Sequence, residues 1–290
     1  KAQIRGDLVR SDVEGNDEGT SFQVPYMRFD IKGEIADDLS YRLKFRLNKT
    51  LDSVEDDGSG KGVDYAYIQK KLDSGIKIKL GKQYINLGGY ESIFSSRDSY
   101  SQGSLTWENT DFYQNGVGAF YNIGGHNFNV QVSNNLEGDR SDNLLYGAQA
   151  IFSFADGMIN PLASYHSDTT HDDITVGLQV KASALTVEVD RIVTQHDDTD
   201  AGAKVDDDTS STAFVKYKQG KWSPQLRYTV ADGEEYKDFD SYHVALEYYP
   251  YGNSSLRYHA AYAKTDNTKN DATSTKEESK TLTVGFAMSF

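Results

Sequence analysis

Apolar and polar residues alternate one for one through most of this chain. Leu39, Tyr41, Leu43, Phe45 and Leu47 interleave with Ser40, Arg42, Lys44, Arg46 and Asn48, and the same period runs through Ile174, Val176, Leu178 and Val180, through Trp222 to Val230 and through Tyr242 to Tyr248. A period of two belongs to a strand with one greasy and one wet face; a helix would repeat every three to four residues. Read end to end, the pattern predicts about sixteen strands, among them 1–10, 20–35, 39–49, 62–72, 75–84, 107–122, 143–155 and 280–290. In the last of these Leu282, Val284, Phe286, Met288 and Phe290 share one face, and Thr281, Thr283, Gly285, Ala287 and Ser289 share the other. An apolar strand edge left unpaired invites aggregation, so a chain that finishes on one points to a closed sheet with no edge.

The connections alternate as well. Short linkers at 36–38, 73–74, 124–125, 156–157, 182–183, 219–221 and 250–253 take turns with long hydrophilic ones at 11–19, 50–61, 85–106, 135–142, 167–172, 196–209, 232–239 and 265–279. Several short ones carry the Gly, Asp and Asn combinations that tight hairpins favour. Alternation within a strand does not choose between core against water and lipid against lumen. The sorting of turns does: short on one side, long on the other, with both termini on the short side, is the plan of an all-β transmembrane antiparallel barrel spanning residues 1–290 as one domain. Trp222, Tyr228, Tyr242, Tyr248, Tyr249, Tyr251 and Tyr262 lie towards strand ends, where aromatic girdles at the headgroup level belong. Two places break the rhythm. Around Pro25 the apolar set shifts from Phe22 and Val24 to Met27, Phe29 and Ile31, which predicts a bulge, and 62–72 has mixed faces, with Tyr65 and Tyr67 opposed to Ile68 and Leu72.

Charge sharpens this picture. The chain carries 30 basic and 44 acidic residues, a net of −14. Leaving aside 85–106, the long linkers hold 27 of the acids and only 6 of the bases, so the acid is outside and the wall is net basic. Arg42, Lys44 and Arg46 share the wet face of one strand, and Lys77 and Lys79 that of another whose greasy face is Ile76, Ile78 and Leu80. No run of eighteen apolar residues exists for a membrane helix, which leaves strands as the only spanning element. There is no cysteine, hence no disulfide or thiolate metal site. The start at Lys1 is read as a mature end from which a leader has been removed. Glu55-Asp56-Asp57 and Asp206-Asp207-Asp208 are the places for loop-bound Ca²⁺ or Mg²⁺, which would bridge to lipopolysaccharide phosphates. Neither has the glycine-turned spacing of an EF-hand, so solvated tips and no cofactor are the expectation.

The order Thr283-x-Gly285-x-x-Met288-x-Phe290 resembles the C-terminal assembly signal of Gram-negative outer-membrane barrels, which implies insertion by the barrel assembly machinery. With strand number and turn asymmetry added, the whole chain resembles the Gram-negative porins, and the step Gly81-Lys82-Gln83-Tyr84 into Leu87-Gly88 is similar to the one before the third loop of phosphate-selective porins. The resemblance implies a homotrimer in outer-membrane lipid and lipopolysaccharide, with the third long loop, here 85–106, folded into the lumen as a constriction. Glu91 and Asp98 would be its acidic side, and Arg42, Lys44, Arg46, Lys77 and Lys79, with Arg5, Arg28 and Lys82, the basic wall. Arg97, between the two acids, departs from an all-acidic loop, and the tight lysine and arginine ladder of a dedicated phosphate channel is missing.

The function expected is passive diffusion of small hydrophilic solutes and ions with a weak anion preference, since charges at a narrow site outweigh distant, salt-screened ones. An anion- or phosphate-selective channel is the alternative. A barrel hydrolase would need a nucleophile beside a base; His126, His166, His171, His196, His243 and His259 come with no Gly-x-Ser-x-Gly elbow, so no enzyme is expected. A soluble secreted adhesin does not sort its turns this way, and no basic patch interleaved with aromatics suggests nucleic acid.

Overall fold

The computed structural model describes residues 1–13, 18–49, 62–93, 95, 97–100, 104, 112–134, 144–169, 171–196, 207–233, 236–252, 255–269 and 276–290. Sixteen strands follow one another: β1 (Ala2–Val13), β2 (Gly19–Ala36), β3 (Leu39–Arg46), β4 (Val63–Lys71), β5 (Lys77–Tyr84), β6 (Tyr113–Ile123), β7 (His126–Asn134), β8 (Leu144–Ile151), β9 (Ile159–Ser167), β10 (His171–Ala182), β11 (Leu185–His196), β12 (Asp208–Tyr217), β13 (Trp222–Asp232), β14 (Tyr236–Tyr248), β15 (Leu256–Lys269) and β16 (Lys276–Ser289). One helical turn, α1 (Tyr90–Ile93), lies between β5 and β6. Each strand pairs antiparallel with its sequence neighbours, and β1 closes the ring on β16. Among the described residues no helix is long and apolar enough to cross a membrane.

Closure uses both ends of the chain. Gln3 faces Ser289 and the register runs unbroken to Val13 against Ser279. Beyond it, the Ala2 amide donates to the Phe290 carbonyl at 2.7 Å and the Phe290 amide to the Ala2 carbonyl at 3.0 Å. Among the described residues no strand is left along a free edge, which is the condition for a sheet to sit in hydrocarbon.

Which face looks where is decided by burial. In β13 every second residue, Ser223, Gln225, Arg227, Thr229 and Ala231, is buried, while Trp222, Leu226, Tyr228 and Val230 are exposed. Around the barrel Val130, Val176, Val244 and Val284 are each at least half exposed, whereas Ser223, Thr229 and Glu247 are at 0 %. Leu43 and Phe45 belong to the outer row with Ile31 and Phe29. Polar inside and greasy outside inverts the rule for proteins in water and fits a surrounding of lipid.

The irregularities have local causes. Arg5 faces Tyr26 while Asp7 faces Gln23, so β2 holds one residue too many at Val24–Pro25, the expected bulge at a residue with no amide to donate. A second bulge accounts for the mixed faces of β4: Lys44 faces Tyr65 but Phe45 faces Val63, and the extra residue, Asp64, turns its carboxylate inward with no exposure at all. Gly124 and Gly125 both have positive φ, 57° and 87°, in the two-residue turn joining β6 to β7.

Some boundaries move. β6 runs from Tyr113, and residues 107–111 of the expected strand lie outside the described residues; β8 stops at Ile151, and residues 152–158 turn through positive φ at Ala155, Asp156 and Gly157. Of the expected girdle, Trp222 packs at a tilt against Tyr248, 4.6 Å between centroids, and Tyr251 is exposed. Tyr249 is a correction: it is buried and donates its hydroxyl to Glu247 at 2.7 Å, because it is one residue past Tyr248 and takes the opposite face.

Val189, outward on β11, offers a direct test of the face assignment. Val189→Arg should lower the unfolding free energy in lipid vesicles by about 2–4 kcal/mol, the cost of a cation on the lipid face near mid-depth, measured by urea titration. An unchanged midpoint would mean that this face does not meet hydrocarbon.

Candidate functional site

The connection from β5 to β6 does not stay outside. At its root Ile85, Leu87 and Phe112 cluster with Leu145, and Tyr84 and Tyr113 pack against them. From there the backbone is led across the inner wall strand by strand. Gln131 on β7 accepts from the Asn86 amide and donates to the Tyr84 carbonyl, both at 2.9 Å. Gln149 on β8 and Ser164 on β9 donate to the Gly88 carbonyl at 3.3 and 3.1 Å. Tyr90 then donates to the Asn160 carbonyl at 2.7 Å, and Asp190 on β11 accepts the Glu91 amide at 3.1 Å. On the far side Tyr100 packs with Ala245 and Ala261 and donates to Glu247 at 2.9 Å. A polar inner wall can satisfy a loop backbone that hydrocarbon could not.

Its charged side chains are clamps. Glu91 is 4 % exposed, accepts the Ser104 amide at 2.9 Å and pairs with Arg227 of β13 at 3.3 Å. Expected as a carboxylate facing solute, it is enclosed between loop and wall. Asp98 pairs with Arg257 of β15 and with Arg97 at 3.2 Å, and keeps a quarter of its side chain exposed. Burial works to raise the pKa of Asp98, but the adjacent Arg257 and Arg97 guanidinium groups outweigh it and hold the carboxyl below its ordinary value. The carbonyls of Arg97 and Ser99 accept from Arg5 at 3.2 and 2.6 Å. Glu247 gathers Tyr100, Tyr249, Lys216 at 2.8 Å and Arg257 at 3.2 Å around one buried carboxylate.

The expected basic wall is on β1–β5, and most of it is already engaged. Arg5 pairs with Asp7 at 2.8 Å; Arg28 pairs with Asp64 at 2.8 Å; Arg42 grips Asp30 through two bonds of 2.8 and 2.7 Å. Arg46 also bonds Asp64, with Lys44 at 3.8 Å from the same carboxylate. Arg5, Arg28, Lys44 and Lys82 are below 9 % exposure, so charge open to the lumen comes from the half-buried Arg42, Arg46 and Lys79 and the exposed Lys77. Gly81, at φ 120°, flips the alternation of β5, which is why Lys79 and Tyr84 both look inward although they differ in parity.

The C-terminal residues have a packing role of their own. Thr283 and Gly285 lie on the inner face, and Val284 and Phe286 on the outer; Phe290 is 71 % exposed and Met288 half-buried. Gly285 has Asp7 on one side and His259 on the other, and these two bond across it at 3.0 Å. A Cβ there would strike both side chains and the Gly6 carbonyl, so the position requires glycine.

Sequence reasoning missed Arg227, Arg257, Glu247, Asp64 and Asp190. Arg227 and Arg257 obey the parity that singled out Arg42 and Arg46, but their partners lie 136 and 159 residues away. Glu188 and Asp190, buried on β11, each keep one oxygen without a hydrogen-bond partner. Residues 55–57 and 206 lie outside the described residues; among those described, no group of histidine and carboxylate side chains has the arrangement of a metal site.

Comparison with known families adds to this geometry. The profile described as "Phosphate-selective porin O and P" matches residues 1–200, more than two thirds of the chain. The chain belongs to this porin family. It is an outer-membrane protein of the Gram-negative type and a diffusion channel. No curated protein matches it. Among solved structures it is similar to the anion-selective porin from Comamonas acidovorans, at 10 % identity and TM-score 0.72 over 100 % of this chain and 98 % of that one. It is also similar to OmpT of Vibrio cholerae in its trimer form, at 14 %, 0.69, 99 % and 98 %, and to Salmonella typhi OmpF in complex with daunomycin, at 13 %, 0.69, 99 % and 97 %. At such identities the likeness is one of fold.

Two measurements test the clamps of this porin. Glu91→Ala should weaken loop docking by about 3 kcal/mol, since it strands the buried Arg227, and should appear as a higher, noisier single-channel conductance in a barrel of normal gel mobility; conductance equal to the parent's would show that this pair does not hold the loop. The contribution of Asp98, whose pKa is depressed, is complete above the unfolded value near 3.8 and fades as pH falls through the lower folded value. The conductance difference between the parent and Asp98→Asn should therefore stay constant from pH 8 to 5, and a difference that fades inside that window would contradict the pairing.

Proposed function

We propose that the porin is a weakly anion-preferring pore whose selectivity is set where the internal loop meets the β1–β5 wall, with Arg97 and Asp98 on the loop and Arg42, Lys44, Arg46, Lys77 and Lys79 opposite. One observation carries this reading. The carboxylates Asp7, Asp30, Asp64, Glu91, Asp98 and Glu247 each have a cationic partner, whereas Lys77 and Lys79 have no carboxylate partner among the described residues and face the lumen. Glu188 and Asp190 are buried. A passing ion therefore meets net positive charge. The structural likeness to an anion-selective porin supports the same sign.

Family and fold support the remaining parts of the reading. The chain assembles as a homotrimer, as OmpT does in its trimer form, is inserted by the barrel assembly machinery through Thr283, Gly285, Met288 and Phe290 after losing a leader, and rests among lipopolysaccharide. Family and fold support transport over catalysis; among the described residues the buried pair Asp7–His259 leaves Nδ1 of the ring without a partner where a triad would need one. Phosphate selectivity, carried by the family's name, is the second reading.

Planar-bilayer recording in a KCl gradient decides the sign. The reversal potential should lie on the chloride side, and the double change Lys77→Glu, Lys79→Glu should carry it across zero. A parent channel that reverses on the potassium side would end the proposal.

A further inference from the structure

Aromatic rings and cations are interleaved on one strip of the inner wall. Tyr65 lies edge-on to Tyr67 and Tyr113, at 5.8 and 5.3 Å between centroids. The Arg42 guanidinium sits 4.2 Å from the Tyr65 ring centre and that of Arg46 5.2 Å from Tyr113. Lys79 Nζ stands 3.8 Å from the centre of Phe120 and 5.3 Å from that of Tyr67. Tyr65, Tyr67, Tyr113 and Phe120 are all half-buried. The strip begins at Tyr113, where the internal loop rejoins the wall, and reaches Phe120 near the short-turn end, a run of about 20 Å along β6.

The donors on this strip suit one kind of anion. A tetrahedral dianion is held by convergent N–H groups, above all by arginine forks. Here those forks are turned on the protein's own carboxylates: both arms of Arg42 on Asp30, and Arg46 and Arg28 on Asp64. What remains is the ammonium of Lys79, a point charge, set among aromatic surface. That combination matches a flat monoanion with an apolar ring, which covers half-wetted tyrosine and phenylalanine faces while its carboxylate stays near the lysine.

We propose, building on the pore reading above, that the Tyr65–Tyr67–Tyr113–Phe120 strip with Lys79 is a binding track for aromatic carboxylates, which the channel takes in preference to inorganic phosphate or to saturated anions of equal charge.

Chloride current through the full-length porin in planar bilayers, titrated with benzoate, cyclohexanecarboxylate and inorganic phosphate, tests this. Benzoate should halve the current at a concentration roughly 5- to 10-fold below that of either competitor, the factor expected from one or two ring contacts. Tyr67→Leu combined with Phe120→Leu should bring the benzoate and cyclohexanecarboxylate curves together. Should that double variant not assemble, the three-solute comparison on the parent protein decides alone. Phosphate as the tightest blocker, or equal blocking by benzoate and cyclohexanecarboxylate, overturns the track while leaving the pore intact. A reconstituted protein with no conductance steps overturns the pore reading and the track with it.

Discussion

Pairing of the first strand with the last is the constraint on which this molecule depends. Every strand here has an apolar face that water would reject, and every strand edge carries amides and carbonyls that lipid would reject. Only a ring satisfies both, and the ring exists because β1 pairs with β16 from Gln3 against Ser289 to Val13 against Ser279, a ladder that Ala2 and Phe290 extend by two hydrogen bonds. The same closure brings Asp7 of β1 beside His259 of β15 across Gly285. A glycine near the C-terminus thus keeps the seam narrow enough for its neighbours to bond over it.

Once closed, the ring faces an internal problem of charge. The wet faces of sixteen strands place many ionised groups in a narrow lumen, and an isolated charge there would be costly to leave without partners. The solution is local on one side and distant on the other. On β2–β4 a bulge pushes Asp64 into a cluster with Arg28, Lys44 and Arg46. On β13–β15 the partners come from the loop, with Arg227 meeting Glu91 and Arg257 meeting Asp98. The loop is therefore part of the wall's electrostatics as well as an obstruction, and removing one of its acids also uncovers a wall arginine.

This division explains what could be read from the sequence. Alternation in β3 and β13, the sorting of turns and the apolar end at Phe290 are local signals, and they sufficed for the closed barrel and for the outward face. The bulge at Pro25 was legible because proline lacks a donor. The bulge at Asp64 was visible only as a confusion of faces around Tyr65 and Tyr67, since nothing in the residue type marks the extra position. The inward parity of Arg227 and Arg257 was as plain as that of Arg42. Their pairing with Glu91 and Asp98 was not, because it depends on where a loop lands after crossing strands that stand far from it in sequence. For that reason Glu91 was expected on the acidic side of the constriction, and it lies buried between the loop and Arg227 of the wall.

The loop's neutralised acids also change what a basic wall means. An acidic loop opposite a basic wall produces a transverse field that acts on either sign of ion. Here Glu91 and Asp98 face arginines, the unsatisfied carboxylate oxygens of Glu188 and Asp190 are buried on β11, and the charge open to the lumen is left to Lys77 and Lys79 of β5 and the half-buried Arg42 and Arg46. Lysine gives charge without the planar fork that fixes an oxyanion, and the arginines that have the fork have turned it to Asp30 and Asp64. In the pore proposed above, attraction and coordination are thereby separated on this wall: anions of many shapes would be drawn in by the same charge, and the surfaces left to distinguish among them would be the rings between the cations.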